Sequence, residues 1–182
     1  NNSPQTIVIA CIGTDRSTGD SLGPLVGTFL LEKTSFPFFV YGTLDDPIHA
    51  VNLQEKLVEI KEKHHNPFII AVDACLGRMK NVGTVQIADG PLKPGAGVNK
   101  QLPEVGDIHI TGIVNISGFM EFFVLQNTRL NLVLKMARTI AESIHTYFYT
   151  VCDGNTLDRC KSGKSIRPYC IGAATYVHRL YK

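Results

Sequence analysis

The stretch from Thr6 to Pro24, TIVIACIGTDRSTGDSLGP, constrains this chain more than any other. Ile7 to Ile12 is an unbroken, mostly β-branched apolar run, as expected of a strand buried on both faces of a parallel sheet. Gly13 then opens a polar loop carrying Asp15, Asp20 and Ser21, and Gly23 and Pro24 begin a helix. Proline is tolerated in a first helical turn because it lacks only an N–H that would have no partner there. Acidic groups are therefore expected at the carboxyl end of a central strand, where open α/β sheets keep their sites.

Further along, apolar residues recur at helical spacing in Leu22–Lys33, and Phe38–Leu44 reads as a second strand. Asp46 and Pro47 predict a helix start, with Ala50, Leu53, Leu57 and Ile60 on one face through to His64. Phe68–Val72 is a third buried strand ending at Asp73, Thr84–Ala88 a fourth and Ile108–Val114 a fifth. Pro91–Gly106 holds too much Pro and Gly for a regular element and reads as a long loop, a feature often tied to function in small domains. Ser117 is expected to cap a helical region, and Leu130, Val133, Leu134, Ala137, Ile140, Ala141, Ile144 and Phe148 mark a long amphipathic helix. The resulting class is α/β, a three-layer sandwich with a mostly parallel central sheet.

A chain of 182 residues suits one domain with one core. The tail from Val151 carries six Lys or Arg against two Asp, whereas residues 1–150 carry 12 against 14. A balance so near neutral gives no reason to expect nucleic acid or membrane binding. The apolar start is too short to span a bilayer and lacks a basic flank, so a cytoplasmic protein is expected. Residues 1–150 are read as the domain and 151–182 as a peripheral extension. A zinc site from Cys152, Cys160, Cys170 and His178 would need ligand spacings that are not present. Gly163, Lys164 and Ser165 resemble the end of a phosphate loop, but Asp158 stands where that motif requires Gly.

Asp20 and Asp73 stand out because each follows a buried strand and the two strands are expected to be neighbours. Taken singly, Asp73 would cap a turn and Asp20 would sit at a helix N-terminus. Together at one sheet edge they repel, a cost that is retained where two carboxylates share a proton, bind a cation or activate water.

CIGTDRSTGDSLGP and VDACLG resemble the acidic motifs of the superfamily that contains spore germination proteases and hydrogenase-maturation endopeptidases. PGAGVNK resembles a Gly loop of the germination proteases. The likeness to YyaC-type sporulation proteins runs from about Ile7 through IHITGIVNISGFMEFFVLQNTRL to the end of the long helix. The resemblance implies a phosphorylase/hydrolase-like fold, a spore or forespore setting and catalytic roles for Asp20 and Asp73. Maturation endopeptidases add a histidine that helps hold nickel, and His109 is the candidate here. The resemblance alone makes it a third site residue; its alternation with Ile108 and Ile110 favours instead a hydrogen-bonded histidine on a sheet face.

The resulting expectation is a germination-type peptidase acting on a protein or peptide substrate, with Gly95 and Gly97 lending backbone donors to an oxyanion. The residues require no cofactor, and a divalent metal and a homo-oligomer stay open. Two alternatives compete with it. Gly19–Gly23 also spells the GDSL and Gly-x-Ser-x-Gly motifs of serine hydrolases, with Ser21 as nucleophile. Against that, the GDSL family's late Asp-x-x-His and Gly-x-Asn-Asp blocks are missing, and Ser21 serves well as a helix cap. The second alternative is a binding protein that keeps the fold without catalysis.

Overall fold

The apolar runs become strands because each is flanked by helices that cover it. A computed structural model describes residues 5–33, 38–95, 102–153 and 178–179, of which 149–153 and 178–179 are described by backbone alone. The strands are β1 (Ile7–Cys11), β2 (Phe39–Tyr41), β3 (Phe68–Gly77), β4 (Thr84–Asp89), β5 (Ile108–Ile116) and a short β6 (His178–Arg179). They form one sheet in the order β2-β1-β3-β5-β4-β6. β1, β2, β3 and β5 are parallel, while β4 lies antiparallel to β5 and to β6.

The helices are α1 (Leu22–Leu31), α2 (Leu53–Lys63), α3 (Glu121–Gln126) and α4 (Leu130–Asp153). Alternation along the strands sends successive side chains to opposite faces. Ile9, Cys11, Ile70, Val72, Ile110 and Val114 pack with Leu22, Val26 and Leu30 of α1 and Val133, Met136 and Ile140 of α4. Val8, Ala10, Ile69 and Ala71 pack on the other side with Leu53, Leu57 and Ile60 of α2. Helices thus cover both faces of a mostly parallel sheet, giving the three layers expected.

Some local expectations are corrected. Asp46 and Pro47 do not start a helix; α2 begins at Leu53 after Asn52. The intervening chain is drawn to the sheet instead, where Ile48 bridges Ile12 and its carbonyl accepts from Gly13 N at 2.8 Å. β3 does not stop before Asp73 but runs to Gly77, because β5 pairs with it along that length. The Pro91–Gly106 loop contains a bridge between Leu92 and Val105, both buried against the α2 side. Ser117 caps nothing: its N–H extends the sheet to Gly77 O at 2.9 Å, and Met120, at φ +52°, precedes α3. The long helix begins at Leu130 as expected, and the helical region before it is the short α3, after which Gly19 N donates to Leu125 O and Thr128 Oγ1 donates to Val124 O.

Cys160, Cys170, Gly97 and the Gly163–Ser165 segment lie outside the described residues. No helix among the described residues is long and apolar enough to cross a membrane.

Candidate functional site

β1 and β3 are adjacent and parallel, with Cys11 beside Val72. The loop after β1 therefore emerges at the carboxyl edge of the sheet next to Asp73. Gly13 is indispensable there: its φ is +146°, and a Cβ would lie 2.0 Å from Asp20 O. At Gly23 a Cβ would lie 2.0 Å from Ile12 O, so α1 can start against the end of β1 only with glycine at that position. Three hydrogen bonds pin the loop: Gly13 N to Ile48 O, Thr14 N to Asp20 O and Gly19 N to Leu125 O.

Asp73 pairs in register with Thr111 of β5 and shares the α2-side face with it. The carboxyl keeps some open surface but is surrounded by enough protein for desolvation to dominate, and its pKa is pushed up to about 8. Its one described hydrogen bond is from Ala74 N to Oδ1 at 2.8 Å, which opposes that shift, and the charge of Asp20 adds to it. Burial also raises Asp20, and the Ser17 hydroxyl pulls it back down. The charge of Asp20 thus reaches Asp73 across the carboxyl edge of the sheet. Cys75, next along this face, has its thiol pushed up to about 11, first by burial, with Thr111 opposing and Asp73 adding.

His109 lies on β5 between Ala71 and Ala88, on the same face as Asp73 but nearer the amino edge. Its Nδ1 is 2.9 Å from Gly90 O. A carbonyl can only accept, so Nδ1 is the donor in this contact. Gly95 follows Gly90 and Leu92, which are anchored at the amino end of β5, and no described contact joins it to either carboxyl. The Ser21 hydroxyl is buried and donates to Thr18 O at 2.7 Å. It therefore closes the turn before α1, without a side-chain cap bond to the helix itself. Sequence reasoning missed Ser17, whose only signal was its place in the polar loop three residues before Asp20.

A maturation-endopeptidase metal centre would require the carboxyls and a histidine to converge. Among the described residues, no group of three or more His, Cys, Asp or Glu is arranged to hold a metal ion. His109 and the two carboxyls are therefore not brought together as one ligand set.

This sheet and its layers are the fold of the hydrogenase maturation proteases. The chain aligns with a [NiFe] hydrogenase maturation protease from Thermococcus kodakarensis KOD1 over 78% of its length and 91% of that protein, at 22% identity and a TM-score of 0.51. An endopeptidase from Escherichia coli, HycI, aligns over 79% of this chain and 91% of that one, at 19% identity and a TM-score of 0.50. The chain belongs to the DUF1256 family, described as proteins of unknown function, whose pattern it matches over residues 1–143. It is 69% identical over 138 residues to the uncharacterized protein YyaC of Bacillus subtilis (strain 168), covering 76% of this chain and 67% of that protein.

Proposed function

We propose that this chain is a spore-associated peptidase of the germination-protease type, with Asp20 and Asp73 as its catalytic pair. The observation that carries the proposal is the unequal environment of the two carboxyls. Burial holds the proton on Asp73 up to about pH 8; burial raises Asp20 as well, but there the Ser17 hydroxyl opposes the rise. In the proposed pair Asp73 carries the proton and acts as general acid, and Asp20 acts as general base.

In this mechanism Asp20 takes a proton from water as the water oxygen attacks the peptide carbonyl. Asp73 first hydrogen-bonds the carbonyl oxygen and then protonates the leaving amine. Proton return from Asp20 to Asp73 through solvent resets the site. The maturation-protease fold supports peptide-bond chemistry, and the motif likeness to sporulation proteins supports the setting.

The test is cleavage of a peptide library and of small spore proteins by wild type, Asp20→Asn and Asp73→Asn. Each variant should fold and lose about 10²–10⁴-fold in rate, the usual worth of a positioned acid or base. Undiminished cleavage by both would remove the pair. Labelling of Ser21 by a fluorophosphonate would favour the serine reading. Tight peptide binding without cleavage by the wild type would favour the non-catalytic one.

A further inference from the structure

Ser17 is 6% exposed, and its Oγ is the buried side-chain atom that completes no hydrogen bond among the described residues. Buried hydroxyls are nearly always paired, so an unpaired one calls for an explanation. Three other hydroxyls of this region have partners. Ser21 Oγ donates to Thr18 O, Thr128 Oγ1 donates to Val124 O, and Thr14 Oγ1 accepts from Arg16 N.

Ser17 O accepts from Ser21 N at 3.0 Å, and Ser21 O accepts from Leu25 N at 2.9 Å, so Ser17–Ser21 forms a helical turn leading into α1. In such a turn, residues three apart are side-chain neighbours, with Cβ atoms about 5–6 Å apart. That spacing sets the Ser17 hydroxyl beside the Asp20 carboxyl, consistent with its electrostatic influence there.

We infer that Ser17 is the positioning residue of Asp20: its buried hydroxyl donates to the ionised carboxylate and holds it turned toward Asp73. This inference rests on the reading of Asp20 as the base of the pair. The surroundings explain why such a donor is needed. From β3, Asp73 keeps its proton up to about pH 8 and the Cys75 thiol beside it stays protonated, so neither supplies a counter-charge. From the loop itself, Asp15 and Arg16 are exposed to solvent. α1 contributes no acidic residue in its first turn, and α3 and the turn after it contribute Leu125 and Thr128 against Gly19. The α1 N-terminus also favours the anion, but a helix end does not select one rotamer of the carboxylate, whereas a hydroxyl in hydrogen-bond reach does.

The test is the titration of Asp20 and Asp73 in the full chain, read by NMR of ¹³C-labelled Asp carboxyls, in wild type, Ser17→Ala and Ser17→Thr. Ser17→Ala should raise the Asp20 midpoint by about one unit, a shift typical of a lost hydrogen bond to a charged group. It should move the acid limb of peptide cleavage by the same amount and lower kcat with KM unchanged. Ser17→Thr, which keeps the hydroxyl, should restore both. If Ser17→Ala fails to fold, Ser17→Cys keeps the volume with a weaker donor and should give a partial upward shift. An unchanged Asp20 midpoint in a folded Ala or Cys variant overturns the inference. The titration needs no turnover, so failure of the peptidase reading would show separately, as normal cleavage by Asp20→Asn and Asp73→Asn.

Discussion

Val72 and Asp73 are consecutive residues of β3 that face opposite sides of one sheet and meet opposite conditions. Val72 is fully buried among α1, α4 and the inward residues of β1 and β5. On its side the packing is apolar from β1 to β5, and Gly112 is kept small because Leu22 and Met136 fill the space beside it. On the side of Asp73, α2 covers Val8, Ala10, Ile69 and Ala71, whereas Asp73, Cys75 and Thr111 lie beyond that cluster toward the carboxyl edge. One face holds the fold together, and the carboxyl end of the other is where polar groups are concentrated. The contrast shows how a sheet can carry a carboxyl at high desolvation cost: the stabilising burial is on the far side of the same strand.

The largest expected effect comes from erasing this contrast. Val72→Asp would place an unpaired charge in the closed face and should cost about 3–5 kcal/mol, as an uncompensated buried charge does. Asp73→Val should leave stability at pH 8 equal or higher, since it removes a desolvated carboxyl. Urea unfolding of the two variants checks both, and comparable losses in the two would break the comparison.

The second effect is a pH dependence. Asp73 holds its proton to about pH 8 in the folded chain but releases it near its ordinary value of 3.8 when unfolded. Between those values the native state binds more protons, so stability is full below about pH 4 and falls as pH rises toward 8. Asp20 is raised too and adds a contribution of the same sign. Thermal midpoints across this range should decline for wild type, and Asp73→Asn should flatten the decline to the residue due to Asp20. An unchanged slope in that variant would show that Asp73 is not the desolvated group.

The smallest effect is expected outside both faces. Phe119 and Phe122, beside and on α3, are 83% and 54% exposed. Phe119→Ser and Phe122→Ser should each shift stability by no more than about 0.5 kcal/mol, the usual range for surface positions. A larger loss in thermal unfolding would extend the closed face to α3.

Much of this architecture was legible in the residues. The apolar run Ile7–Ile12, the spacing Leu22–Val26–Leu30 and the long stripe from Val133 to Phe148 identified β1, α1 and α4, because hydrophobic period is a local property that burial on one face requires. Asp20 and Asp73 were legible for the same reason, each lying just past or near the end of a run that has to be buried.

What the sequence by itself determined is this set of elements and the edge at which the carboxylates emerge. Tertiary structure alone decided the rest. The Asp46–Pro47 signal is a sound helix start taken locally, but Ile48 is drawn into a bridge with Ile12 and α2 starts later. α3 ends where Leu125 O accepts from Gly19, over a hundred positions earlier in the chain. His109 has its Nδ1 engaged by Gly90, and the Ser17 hydroxyl is buried without a hydrogen-bond partner among the described residues, through turns that no local pattern announces. The proton on Asp73 belongs to this second group as well. Its retention depends on how much protein surrounds the carboxyl and on a second carboxylate from a distant loop, and both come from chain segments that meet only when the sheet is assembled.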